Sequence, residues 1–227
     1  MEIISLESGR TTWLFPVEEI LPLGGADGPG IVAGITARYK FRHPPVNPTK
    51  EEIEKTGLKF LGGQFNQGVG IANIVEFTVF NDGLVSISDS TERSEAFLQD
   101  VCEYLLSDHN FRKISSEVKK VSLSAAVVSF KTSLNELIRG HEMGFIATHL
   151  NAIDGTDYPV ELSRVDFVLN KDPEFRPPHI PRLTIEKRAN TAFSQNRYYS
   201  VAPISTREHL TILERIETEA ARPRKRK

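Results

Sequence analysis

Val75-Glu76-Phe77-Thr78-Val79-Phe80-Asn81-Asp82-Gly83-Leu84-Val85-Ser86-Ile87-Ser88 is the stretch that decides the fold class. Val75, Phe77 and Val79 alternate with Glu76, Thr78 and Phe80, a short turn follows, and Val85 and Ile87 alternate with serines. That period of two marks an antiparallel hairpin. A two-residue Asp82-Gly83 loop would set Val79 against Ser86 and mix the two faces. A three-residue loop with Gly83 left-handed pairs Val79 with Val85 and Phe77 with Ile87. The pattern therefore predicts that Val75, Phe77, Val79, Val85 and Ile87 share one buried face. Directly afterwards, Ser90 or Thr91 caps a helix whose stripe of Leu98, Val101 and Leu105 should cover that face.

Working outward, Glu2 to Leu6 and Thr11 to Phe15 straddle Ser8-Gly9 and read as a second hairpin. Ile31, Ala33, Ile35, Ala37, Tyr39 and Phe41 alternate with small or polar residues and read as a long strand. Thr49-Lys50-Glu51-Glu52 matches the reciprocal capping box of a short helix that Gly57 closes. Leu58 to Phe65, Val118 to Phe130, Val160 to Leu169 and Leu183 to Ala192 read as strands, and Ser133 to Arg139 as a helix of about two turns. Ser205-Thr206-Arg207-Glu208 is a capping box for a C-terminal helix with Leu210, Leu213, Ile216 and Ala220 on one side. Strands follow one another without strand-helix alternation. The fold class is therefore α+β, an antiparallel or mixed sheet with helices packed mainly on one face.

One domain is expected over residues 1–221, with a basic tail at 222–227. The Pro-rich stretches at His43 to Pro48 and Pro173 to Pro181 are short, and apolar periodicity resumes after each. Phe41-Arg42-His43-Pro44-Pro45 resembles Phe175-Arg176-Pro177-Pro178-His179, but the flanking patterns diverge and the resemblance is read as coincidence.

A composition of 39% hydrophobic and 26% charged residues is ordinary for a folded chain, so disorder is not expected. No apolar run approaches the ~18 residues of a membrane span, and Met1-Glu2-Ile3-Ile4 lacks the features of a signal peptide. The single cysteine, Cys102, is placed on an apolar helix face as a packing thiol. The expected location is the cytoplasm.

Charge is unevenly spread. Residues 176–227 carry twelve Lys or Arg against five acids, and residues 1–175 carry sixteen against twenty-five. Such asymmetry points to an anionic partner for the basic end, or to a tail that pairs with an acidic surface. The candidate anion-binding residues are Arg176, Arg182, Arg188, Arg197, Arg222, Arg224, Lys225, Arg226 and Lys227, with Tyr198 and Tyr199 available for stacking.

Catalytic signatures are weak. Gly24 to Gly30 precedes an apparent strand and lacks the Lys of a phosphate loop. Gly62 to Gly70 has Asn73 where a dinucleotide fingerprint needs glycine. Either loop can still cover a ligand. His141, Glu142, His149, Asp154 and Asp157 lie close in sequence but match no metal-ligand spacing, and Gly140 and Gly144 interrupt the helix such a site would stand on. His209 reads as a hydrogen-bonded structural histidine.

No cofactor and no metal are expected. The leading expectation is a non-catalytic binding or assembly protein that meets a protein partner or itself through Leu210, Leu213 and Ile216. Behind it stand nucleic-acid association through the basic segment, and a hydrolase or metal enzyme at 140–157.

Overall fold

The structure is a computed structural model that describes residues 1–46, 48–66, 68, 70–138, 140–154, 160–168 and 182–222. It is an α+β protein whose eight strands form one antiparallel sheet in the order β2-β3-β4-β1-β5-β8-β7-β6. The strands are β1 (Glu2–Leu14), β2 (Leu58–Asn66), β3 (Ile71–Phe80), β4 (Gly83–Ser88), β5 (Lys119–Ser129), β6 (Arg164–Val168), β7 (Arg182–Lys187) and β8 (Arg197–Ala202). The helices are α1 (Gly28–Tyr39), α2 (Lys50–Thr56), α3 (Thr91–Asp108), α4 (Gly140–Asp154) and α5 (Thr206–Ala220). Among the described residues no helix is long and apolar enough to cross a membrane.

The chain divides into two compact units. The N-terminal unit holds Ser8–Ser124 with Ile204–Thr206, and the C-terminal unit holds Met1–Glu7, Ala125–Pro203 and Arg207–Lys227. The described elements of the two halves follow a common order of strand, 3-10 turn, helix, three strands and helix, with α2 added in the first and the 3-10 turn Phe193–Gln195 before β8 in the second. Several equivalent residues stand 115 positions apart, among them Phe15 and Phe130, Ser90 and Ser205, Thr91 and Thr206, and the core leucines Leu98 and Leu213. The resemblance of the two Pro-rich stretches does not share this spacing and is not part of the repeat. The repeat survives in topology and in helix starts, where it is hidden from a reading of short motifs.

The N-terminal core is aromatic. Phe97 of α3 meets the rings of Tyr39, Phe41, Phe65 and Phe77 edge-on, and Phe60 stacks on Phe77. The C-terminal core gathers Ala126, Val128, Ile185, Tyr198 and Leu213.

Several expectations hold at the level of single caps. Ser90 accepts from the Arg93 N–H at the start of α3, and Thr49 and Glu52 form the reciprocal capping box of α2, closed by Gly57. The α3 stripe of Leu98, Val101 and Leu105 is buried in the N-terminal core.

Others are corrected. The central hairpin turns on Asn81-Asp82, so that Phe80 faces Gly83, Val79 faces Leu84 and Phe77 faces Ser86. Phe77 is fully buried with Leu84, but Thr78 and Val85 lie on the other face and Val75 is 57% exposed. The register is set by β1 rather than by the turn. The carbonyls of Asp82 and Asn81 accept from the Phe15 and Val17 N–H groups, both at 3.0 Å. Gly83 pairs with Leu14, and a Cβ there would stand 2.0 Å from the Trp13 carbonyl oxygen.

The expected N-terminal hairpin is a single strand, β1, in which Gly9 permits close approach to the Ser90 backbone rather than a turn. The expected strand from Ile31 is the helix α1. Ile31, Ile35 and Tyr39 satisfy a period of two and helical i, i+4, i+8 spacing equally, and Asp27, which accepts from the Gly30 N–H at 3.1 Å, with Pro29 in the first turn, selects the helix. The region after β5 forms one 3-10 turn, Leu134–Leu137, rather than two helical turns, and α4 runs through Gly140 and Gly144 without a break.

Candidate functional site

The N-terminal unit encloses the more apolar of its cavities, about 890 Å³, between α1, α2 and the sheet. Its floor is Leu58, Val79, Leu84 and Leu105, contributed by β2, β3, β4 and α3. Ile31, Val32 and Ile35 of α1 form one wall. Pro44, Pro45, Val46 and Pro48, with Ile53 of α2, form the other, so a Pro-rich stretch that reads in sequence as a break is a lining element. Ala26, Gly28 and Pro29 of the first glycine-rich loop also reach it, whereas none of the described residues of the second glycine-rich loop does.

Among the described residues no charged side chain lines the cavity, and Thr36 supplies the one lining hydroxyl, which donates to the Val32 carbonyl at 2.6 Å. The described lining is therefore apolar surface, which favours groups that gain by leaving water.

The C-terminal end of α1 is pinned. The Tyr39 hydroxyl donates to Asp100 at 2.6 Å, and the Arg38 guanidinium reaches the same carboxylate at 3.2 Å. Burial first, and the Asp100 carboxylate second, push the Tyr39 hydroxyl well above the ordinary phenol range. Lys40, left-handed at φ 51°, ends the helix.

The sequence-predicted residues are placed as follows. Leu213 is fully buried in the C-terminal core, and Leu210 and Ile216 pack against that core from its edge. Leu213 thus serves internal packing. Of the three, Ile216 alone also lines a groove, which lies between α5 and β6.

Arg182 begins β7 and Arg188 follows its end, about 20 Å apart along an extended chain. Arg188 and Arg197 are neighbours through an N–H to carbonyl bond of 3.0 Å, and the Arg188 guanidinium stands 6.0 Å from the Tyr199 ring. Arg222 pairs with Glu219 at 3.1 Å. Arg176, Arg224, Lys225, Arg226 and Lys227 lie outside the described residues. Arg188 and Arg197 therefore stand together, with Arg182 at the opposite end of β7.

Among the described residues no three of His, Cys, Asp and Glu converge on a metal position. His149 is exposed, and its Nδ1 is engaged by the Phe145 carbonyl at 2.9 Å. The side chains of His141, Glu142 and Asp154, and the whole of Asp157, lie outside the described atoms. Cys102 is a packing thiol, pushed up to about 11 by burial and by Glu103.

His209 is fully buried, its Nε2 2.8 Å from Ser200 Oγ, which also donates to the Thr184 carbonyl at 2.8 Å. Burial lowers its pKa from 6.5 to about 4, so it is neutral in the fold and protonates more readily in the unfolded chain. Stability is therefore complete above pH 6.5 and falls as pH drops toward 4, by on the order of 3 kcal/mol. Denaturation between pH 6.5 and 4.5, above the ordinary carboxylate range, should show this slope in the native chain and a flat profile in His209→Leu. Equal slopes in both would remove His209 as the cause.

Comparison of the chain with protein-family models and with curated proteins finds no match.

Proposed function

We propose that this chain is a non-catalytic cytoplasmic binding protein whose N-terminal unit takes an uncharged, apolar ligand into the cavity beneath α1. The observation that supports this reading is that the described residues lining about 890 Å³, a volume in the range of small-molecule sites, include no charged side chain. An ionic or strongly polar ligand would lose its hydration there and gain no partner, whereas a hydrocarbon chain or fused-ring molecule gains by leaving water. The elements around the opening suit such a role. α1 is fixed at its C-terminal end by Tyr39 and Asp100, and the Pro-rich wall is anchored at its start where His43 bridges Leu61 of β2.

The test uses N-phenylnaphthylamine, an uncharged dye that fluoresces in apolar surroundings. Saturable binding is expected, with displacement by an uncharged long-chain alcohol. Ala33 lines the cavity from an exposed position on α1, so Ala33→Trp should fill space without disturbing the core. We expect at least ~10-fold weaker dye binding with an unchanged unfolding midpoint, since ~1.4 kcal/mol lost from one site is tenfold in affinity. Undiminished binding by Ala33→Trp, or none by the native chain, would overturn the reading.

A further inference from the structure

We propose that α4 of one copy seats in the groove between α5 and β6 of a second copy, so that the protein forms a reciprocally exchanged dimer. In the N-terminal unit α1 lies against α3: the Tyr39 ring is 4.9 Å from Phe97, its hydroxyl bonds Asp100, and the Tyr104 ring stands 4.7 Å beneath the Arg38 guanidinium. Val101 completes that face in the core.

The spacing of 115 that relates α3 to α5 carries Phe97, Asp100, Val101 and Tyr104 onto Ile212, Arg215, Ile216 and Glu219. These four are the α5 residues that line an open groove of about 740 Å³, whose far side is Val165 and Phe167 of β6. Phe97 is fully buried beneath α1; its counterpart Ile212 is 37% exposed. Among the described residues no helix other than α5 lines this groove.

α4 holds the place of α1 in the element order, and its described packing of any extent is against the 3-10 turn Leu134–Leu137. Its apolar side chains Phe145 (65%) and Leu150 (50%) stand in solvent with Ile146. The same spacing sets Ile31 against Ile146, Ile35 against Leu150 and Tyr39 against Asp154.

One charged contact changes sign between the units. In the N-terminal unit Tyr39 and Arg38 meet Asp100; the spacing sets Asp154 against Tyr39 and Arg215 against Asp100, while the other charged residues of the groove, Arg164, Asp166 and Glu219, are of mixed sign.

Link lengths select the second copy over the same chain. Seven residues connect the first 3-10 turn to α1, but two, Ile138 and Arg139, connect the second to α4. Leu137 and Ile138 themselves line the groove, so a two-residue link would have to reverse the chain at the rim and lay a 15-residue helix along it. Short hinges of this kind favour exchange between copies, which a closed two-fold dimer satisfies twice.

The test is cross-linking of the full chain. The Cβ position of Gly34 lies 2.4 Å from the Tyr104 hydroxyl, and the counterparts of these residues are His149 and Glu219, both exposed. A mixture of His149→Cys and Glu219→Cys, treated with a short bis-maleimide, should yield a linked heterodimer that neither variant alone gives, because Cys102 is largely packed away. Arg215→Glu should raise the dimer dissociation constant about 10-fold, and Asp154→Arg in the same chain should restore it, with unfolding midpoints unchanged. The proposal is overturned by a strict monomer without cross-links, or by a His149→Cys/Glu219→Cys double variant that links only within one chain.

Discussion

Phe97→Ala is expected to destabilise the protein by about 3–5 kcal/mol, read as a lower denaturant midpoint at unchanged slope. The side chain is fully buried, and four rings surround it: Tyr39 at 4.9 Å, Phe77 at 5.3 Å, Phe65 at 5.9 Å and Phe41 at 6.2 Å. Rings held edge-on by one another cannot collapse into the space left behind, so the cavity persists and each lost aromatic pair adds ~0.5–1.5 kcal/mol to the transfer cost. Because Phe97 also supports Tyr39, the same change loosens α1 and should weaken apolar dye binding alongside stability. Ile212→Ala, at the exposed counterpart, should cost far less. Equal losses at the two positions would contradict the difference in seating between α1 and α4.

Leu213→Asp is expected to unfold the C-terminal unit. The site is fully buried among Ala126, Val128, Ile185 and Tyr198, and a short carboxylate cannot reach water from it. The titratable group one turn earlier on α5 is His209, which burial already holds neutral with a pKa of about 4, so an ion pair would require the fold to charge a histidine it keeps uncharged. The loss should therefore exceed the ~2–5 kcal/mol of Leu213→Ala, placing it among the most damaging single changes. Limited proteolysis would show cleavage spread through residues 125–220, with loss of near-ultraviolet circular dichroism. A folded Leu213→Asp protein altered only in self-association would instead return Leu213 to the role of a contact residue.

Local chemistry made some elements legible. Thr49 with Glu52 and Ser90 with the Arg93 N–H are short polar signals whose partners lie within three residues, and the same pattern at Ser205 precedes α5, so the helices they start can be read from the chain alone. The placement of α1 was not legible for a definite reason. Alternation over Ile31, Ala33, Ile35, Ala37 and Tyr39 contains the helical series Ile31, Ile35, Tyr39, and only the Asp27 cap and Pro29 distinguish the two readings. The strand β8 was missed because Tyr198-Tyr199-Ser200-Val201 alternates weakly, and its buried residues Tyr198 and Ser200 are recognised only from their partners Lys187 and Ile185 on β7.

The candidate cavity was less legible still. Its lining comes from residues between Val17 and Phe111, and none of them bears chemistry that a motif search would select. The groove residues Ile212, Arg215, Ile216 and Glu219 are an ordinary helical stretch until the seated helix in the other unit gives them meaning.

By itself the sequence determined the α+β class, the starts of α2, α3 and α5 and the amphipathic faces of α3 and α5, because periodicity and capping depend on neighbours within a turn or two. The tertiary structure alone decided which strand sets the hairpin register, that Leu213 faces inward, and that two Pro- and Gly-rich segments enclose an apolar space. Those outcomes depend on partners tens of residues away, and pairing energy across a sheet or a core is fixed by which surfaces meet.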